Sequence, residues 1–175
     1  MVKGILIKVP ELFTDDEQAE IQQRFKNDDI EVIFFDKNQI QASFDSFIEL
    51  ILNNEFLEML VLGLSVDVLK ELVFKIVDSM KKKKVVIIDS NQQAKPAKLT
   101  IKSTTEKGTI YLEIPNDISE KGYQKSIEKI VDAKRILDNS SGKGINDLYI
   151  VEDKVGNLSV MTLSEYIEYR KRATN

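Results

Sequence analysis

Short apolar runs alternate along this chain with stretches of helical period, and this alternation constrains the fold more than any other feature. Residues 2–9 form one strand-like apolar run, and residues 30–35 (IEVIFF) form a second. Between them, Thr14 and Glu17 have the spacing of a capping box, which predicts a helix that continues to about Lys26. The nearly continuous apolar character of the second run favours a strand that is covered on both faces or close to it. The start of the chain therefore predicts a strand–helix–strand unit.

A long stretch of helical period follows in the middle of the chain. From residue 43 the apolar side chains recur at helical spacing, at Phe44, Phe47, Ile48, Ile51 and Leu52. We expect a helix there, loosened at Asn53 and Asn54, and a second helical run from Phe56 towards Met80. Gly63 lies within that run, where it marks a kink, a break or tight packing.

Three further strand-like runs come next. Residues 85–88 (VVII) predict a third strand, and residues 90–95 predict a polar loop. Residues 97–103 alternate between apolar and polar side chains as a strand does, and residues 109–114 are expected to pair with them across the turn at residues 106–108.

The C-terminal part of the chain predicts a helix, a hairpin and a short final helix. Residues 119–138 have the most regular amphipathic pattern in the sequence. Residues 148–151 and 158–161 flank a short turn that contains glycine, as the strands of a hairpin do. Thr162 and Glu165 form a second capping box, which opens the last helix.

The order of these elements defines the expected fold class. The order β-α-β-α-β-β-β-α, followed by the hairpin and the short helix, predicts an α/β fold with a mixed sheet and α+β character at the C-terminus. Two successive strand–helix–strand crossovers imply that the first three strands are parallel neighbours, whereas strands joined by short turns are antiparallel. A chain of 175 residues fits one domain. We expect one domain over residues 1–175, with the main sheet and helices in 1–138 and a hairpin and helix extension in 145–175.

The absence of cysteine and histidine limits the chemistry that the chain can perform. Without these residues there is no disulfide, no thiolate nucleophile, no cysteine-rich zinc site and no imidazole general base. Metal-dependent chemistry would need oxygen ligands, which favour Mg²⁺, Mn²⁺ or Ca²⁺. We therefore expect no cofactor, with Mg²⁺ only under the carboxylate hypothesis that follows.

Three carboxylates follow, or lie close to the ends of, the first three predicted strands. Asp36 and Asp89 are each the first polar residue after an apolar run, and Glu11 lies just beyond the first run. If the three strands are parallel, these side chains meet at the carboxyl edge of the sheet, where open α/β sheets bind ligands. They would then hold Mg²⁺ against a phosphate group. The alternative is that the aspartates form turns, because their side chains bond readily to the local backbone.

Charge and hydropathy restrict the expected partners and compartment. The formal net charge is −4, which disfavours a nucleic-acid partner and is compatible with docking onto a basic surface. The lysine run 81–84 follows a long predicted helix, where cations offset the negative end of the helix dipole. The loop at residues 140–144 (SSGKG) lacks the spacing of a phosphate loop, so we expect no phosphate-binding residues. No segment has the length of a signal-peptide core or of a membrane span, so we expect a cytoplasmic protein without a membrane partner.

Residues 1 to about 135 resemble effector-associated constant component domains, which are small accessory domains of bacterial conflict systems. The resemblance is carried by the opening strand and helix, by the long helix from Leu60 to Met80 that runs into the lysines at 81–84, and by the strand at Val85. It implies an interaction or signalling module with no catalytic residue. We therefore expect a non-catalytic module with a protein partner, in a bacterial defence or toxin-neutralising system. The alternative is a small Mg²⁺-dependent enzyme that handles phosphates or nucleotides.

Overall fold

A seven-stranded mixed sheet lies at the centre of the computed structural model, which describes residues 2–9, 11–35, 48–88, 91–140 and 146–173. The strands are β1 (Lys3–Lys8), β2 (Ile30–Phe34), β3 (Ile48–Leu52), β4 (Val86–Ile88), β5 (Ala94–Pro96), β6 (Leu99–Thr105), β7 (Gly108–Ile114), β8 (Asp147–Glu152) and β9 (Leu158–Thr162). The helices are α1 (Asp15–Lys26), α2 (Asn54–Val61), α3 (Val66–Lys82), α4 (Glu120–Asn139) and α5 (Leu163–Ala173). The predicted α/β fold with a mixed sheet is confirmed.

Three parallel strand pairs make up most of the sheet, whose strand order is β2-β1-β3-β6-β7-β8-β9. The pair β1 and β2 is joined by α1, the pair β3 and β6 is joined through α2 and α3, and the pair β7 and β8 is joined by α4. The pairs meet in antiparallel fashion at β1–β3 and at β6–β7, and β9 adds antiparallel to β8. The first predicted crossover and both predicted hairpins are confirmed. Because β8 pairs with β7, the C-terminal hairpin continues the main sheet.

The strand beside β1 differs from the prediction. The helical spacing at residues 43–52 predicts a helix, but Ile48–Leu52 forms β3, and residues 43–47 lie outside the described residues. The side chains of Ile48, Leu50 and Leu52 are buried in alternation, which is the period of a strand. Ile48 and Leu52 are also four residues apart, so the same residues fit a helical period. Pairing with both β1 and β6 decides between the two, because it satisfies the backbone of β3 on both sides.

The predicted third strand is formed outside the main sheet. Strand β4 pairs with β5 in a separate two-stranded antiparallel sheet, so it is not the predicted parallel neighbour of β1 and β2. Part of the predicted polar loop at 90–95 belongs to β5. Strand β4 has only three residues, so it can form few backbone hydrogen bonds with a neighbouring strand, and Val86 and Ile88 remain exposed in the small sheet. The longer β3 and β6 occupy the centre instead.

Helices cover one face of the sheet. Alternate apolar side chains on that face are buried, among them Ile5, Ile7, Leu50, Leu52, Leu99, Ile101, Ile110, Leu112 and Ile114. Helix α2 contacts β1 and β6, helix α4 contacts β7, β8 and β9, and helix α1 contacts β2. Helix α3 lies between α1 and α4, since Glu71 pairs with Arg24 at 2.8 Å and Phe74 packs edge-on against Tyr123.

Side-chain caps set the starts of three helices on that face. Thr14 and Glu17 form the predicted capping box of α1, and Ser119 caps α4. Asn53, where the sequence predicted only a loosened helix, caps α2. Gly63 has a φ of +74° between α2 and α3, so of the three predicted alternatives the structure has a break. Within the described ranges, no helix combines the length and the apolar character that crossing a bilayer requires.

Candidate functional site

Of the three residues in the predicted carboxylate site, the structure describes only Glu11. Glu11 follows β1, is exposed and has a φ of 59°. Asp36 and Asp89 lie outside the described residues, so a magnesium site formed by the three remains a prediction. Its premise of three parallel neighbours is wrong, because the strand before Asp89 belongs to the two-stranded sheet. In the described part of the chain, no three acidic side chains are grouped closely enough to hold a metal ion.

A row of partly exposed side chains crosses the sheet on the face opposite to helices α1 to α4. The pairing register aligns one residue from each of the seven strands, namely Ile33, Leu6, Ile51, Lys102, Tyr111, Tyr149 and Met161. We call the surface that bears this row the open face. None of these seven side chains is buried, and Ile33 is 49% exposed. The contrast with the other face arises because successive side chains of a strand point to opposite sides of the sheet.

Three tyrosines stack at one end of the open face. Tyr111 and Tyr149 are directly paired across β7 and β8, with ring centroids 4.9 Å apart and ring planes 10° apart. Tyr166 of α5 stacks on the other face of the Tyr149 ring, with centroids 4.3 Å apart. The predicted capping box of Thr162 and Glu165 is confirmed, since the Thr162 amide donates to Glu165 Oε2 at 2.7 Å. This cap starts α5 directly after β9 and thereby directs the helix over the open face.

A groove of about 430 Å³ lies between the sheet and α5. Tyr111 and Tyr149 line its sheet side, and Tyr166 and Tyr169 line its helix side. The Tyr169 hydroxyl donates to the backbone carbonyl of Glu152 at 3.1 Å, which ties the helix to the end of β8. We call this cavity the tyrosine groove.

Carboxylates outnumber cations around the tyrosine groove. Its lining contains four carboxylates and two cations, a formal net charge of −2, from Glu49, Glu113, Glu152, Asp153, Lys98 and Arg170. Lys98 pairs with Glu113 at 3.3 Å, and both side chains are more than half exposed. Exposed pairs of this kind contribute about 0–1 kcal/mol, so a stronger cationic partner can displace them.

Glu49 and Glu152 differ in how they are paired. Lys8, from outside the groove lining, lies 3.3 Å from Glu49. Glu152, which also lines the groove, has no ion pair with a lysine or arginine of the described ranges.

The ionisation of the lining groups follows from their surroundings. Burial, with a smaller effect from the charge of Asp147, raises the pKa of Tyr111 above that of a free tyrosine, and burial likewise raises the pKa of Tyr149. Both hydroxyls therefore remain protonated at neutral pH. Backbone amides, that of Asn157 first, donate to Asp153 and lower the pKa of its carboxyl, which is ionised. The groove thus presents neutral phenol rings beside ionised carboxylates.

A second groove of about 390 Å³ continues from the first towards the start of α4. The two share Glu113, Pro115 and Glu152 in their linings. The second groove adds the carboxylate of Asp117 and the cation of Lys125. The charged residues that only the second groove contains therefore balance, and its excess of carboxylates comes from the shared Glu113 and Glu152.

Sequence reasoning did not single out the tyrosines. The period-two pattern of β7 and β8 contained part of the signal, since Tyr111 alternates with the buried Leu112 and Tyr149 with the buried Ile150. The stack itself depends on the adjacency of β7 and β8 and on the placement of α5. The sequence pattern predicts neither of these.

No protein-family model, curated protein or solved structure matches this chain.

Proposed function

We propose that this protein is a non-catalytic interaction module that binds a partner protein on the open face of its sheet. The observation that supports the proposal most is the row of seven unburied side chains across the open face, which ends in a tyrosine-lined groove. Large apolar and aromatic side chains gathered on one exposed face are typical of protein interaction sites. A role as an accessory module in a bacterial defence or toxin-neutralising system would agree with this proposal.

The composition of the open face supports a protein partner in particular. Ile33, Leu6 and Ile51 supply an aliphatic area at one end, and Tyr111 and Tyr149 supply aromatic rings near the other. Tyrosines at interfaces bury a large ring and keep a hydroxyl for hydrogen bonding, which is why they are enriched among residues that dominate binding energy.

Capture experiments with matched arginine variants test the proposal. Ile33→Arg and Val151→Arg each place a charge on the open face, whereas Ile136→Arg places the same charge on α4, where Ile136 is 41% exposed. Each variant and the wild type are immobilised and exposed to extract of the source cells, and retained proteins are compared by mass spectrometry. We expect the same partner with wild type and Ile136→Arg, and its loss with both open-face variants, provided that all four proteins have similar melting temperatures.

Two results would count against this function. Retention of the partner by both open-face variants would show that the open face is not the binding surface. A measurable turnover that the open-face variants leave unchanged, in a protein that retains no partner, would replace the interaction role with an enzymatic one.

A further inference from the structure

We infer that the tyrosine groove accepts an arginine-rich segment of the partner protein. This inference rests on the proposed function and adds the chemistry of the bound segment. A guanidinium group stacks on aromatic rings and forms paired hydrogen bonds with carboxylates, and the groove presents both kinds of group together.

One of the stacked tyrosines already has a lysine of the chain over its ring. Lys102 Nζ lies 5.7 Å from the centroid of the Tyr111 ring, the ring at the sheet end of the three-tyrosine stack. The negative charge density on the faces of aromatic rings stabilises such a cation. Both faces of the Tyr149 ring are covered by Tyr111 and Tyr166, so a guanidinium from the partner would stack on the outer face of Tyr166 or on Tyr169, which have no further ring contact among the described residues.

Two carboxylates of the groove, Glu113 and Glu152, are available to pair with a cation of the partner. Among the described residues, Glu152 has no ion pair with a lysine or arginine, and Glu113 pairs with the exposed Lys98 alone. Both residues also line the second groove, where Asp117 adds a carboxylate and Lys125 adds a cation. A segment with several arginines can therefore meet carboxylates along both grooves.

The same charges argue against a nucleic acid as the occupant. Stacked tyrosines can form a platform for unpaired bases, but single-strand binders combine such platforms with a positively charged groove that follows the backbone. Here the described residues of the lining contribute four carboxylates and two cations, so this part of the groove lacks the excess of positive charge that such binders use.

Intrinsic tyrosine fluorescence provides a direct measurement. The chain has five tyrosines and no tryptophan, and four of the five tyrosines line the groove. A short peptide of alternating arginine and glycine is titrated into the protein, beside a peptide with glutamate in place of arginine and a single-stranded oligothymidine. We expect a saturable change in emission with the arginine peptide alone, and weaker binding as the salt concentration rises.

Paired neutral variants assign the binding to the groove. Glu113→Gln combined with Glu152→Gln should weaken the arginine peptide about tenfold, because two charge-assisted contacts lose their charge. Glu20→Gln combined with Glu128→Gln makes the same change in net charge on exposed positions of α1 and α4, and it should leave the affinity unchanged. Circular dichroism melting checks that both double variants are folded.

The outcomes separate this inference from the proposed function. Equal binding of the glutamate peptide, binding of the oligothymidine alone, or equal affinities for the two double variants would overturn the arginine-rich occupant. If the captured partner is lost with Val151→Arg but kept with the Glu113 and Glu152 double variant, docking on the open face stands and the arginine inference fails. Loss of the partner with that double variant, but not with the Glu20 and Glu128 control, supports both.

Discussion

The side chain of Asn53 joins three parts of the chain at the start of α2, and its removal should be costly. Its Oδ1 accepts from the amides of Gly4 and Phe56, each at 3.0 Å, and its Nδ2 donates to the carbonyl of Val2 at 2.8 Å. One residue thus caps a helix and anchors the beginning of β1. A Cβ added at Gly4 would lie 3.1 Å from Asn53 Nδ2, so the two segments approach closely.

The expected cost of Asn53→Ala follows from these three bonds. Loss of the helix cap costs about 1 kcal/mol. The bond to Gly4 is partly buried and adds about 1 kcal/mol, and the exposed bond to Val2 adds about 0.5 kcal/mol. The total of about 2–3 kcal/mol corresponds to a fall in melting temperature of about 4–12 °C for a chain of this size.

Urea unfolding followed by circular dichroism measures this loss, with two further variants for comparison. Asn54→Ala, one residue along, removes no described side-chain hydrogen bond and should change the free energy of unfolding by less than about 0.5 kcal/mol. Asn53→Asp keeps an acceptor for both amides and loses only the donor to Val2, so its cost should be smaller than that of Asn53→Ala. The reasoning is refuted if Asn53→Ala costs no more than Asn54→Ala.

Three further variants test other parts of the structure. Tyr123→Phe removes the hydroxyl that donates to the Val66 carbonyl at 2.8 Å and should cost about 1 kcal/mol in urea unfolding at neutral pH. Burial raises the pKa of Tyr123 in the folded state. The free energy of unfolding of the wild type should therefore be constant below the unfolded pKa of about 10 and should fall as the pH rises above it. An equally large fall in Tyr123→Phe would contradict a role for this group. Gly108→Ala should lower the free energy of unfolding by about 3 kcal/mol or more, since the added Cβ would lie 1.5 Å from the Asn146 carbonyl oxygen. A loss below about 1 kcal/mol in urea unfolding would show that β7 and the residue before β8 separate easily. If the magnesium hypothesis is right, Mg²⁺ with a nucleotide should raise the melting temperature of wild type but not of Asp36→Asn, and a thermal-shift screen without any stabilisation would leave no support for it.

The elements with strong local signals could be predicted from the sequence. Both capping boxes, at Thr14 and at Thr162, are confirmed, as are the amphipathic helix α4 and the hairpin of β8 and β9. In these segments the hydrogen bonds or the periodic burial involve residues close together in the chain, so local pattern was sufficient.

The strand β3 could not be predicted in this way. Ile48 and Leu52 fit both a helical and a strand period, and the deciding interactions are backbone pairs with β1 and β6, which are distant in the chain. Asn53 had a readable signal as a helix cap, but the assumption of a continuous helix through it concealed that role.

The tyrosine groove required the order of the strands. Tyr111, Tyr149 and Tyr166 belong to three elements, and only the adjacency of β7 and β8 and the return of α5 across them bring the rings together. Each tyrosine alone is an ordinary partly buried residue of a strand or a helix, so no local pattern distinguishes it as part of a site.

The strand order also has a consequence for synthesis on the ribosome. From β3 onwards the main sheet extends in one direction, since β6, β7, β8 and β9 each add beside the preceding strand of the sheet. The emerging chain can therefore complete the sheet progressively at a single growing edge. The tyrosine groove forms after the sheet, when α5 follows β9 out of the ribosome, so nascent chains that stop between β9 and α5 would expose all seven strands without the groove.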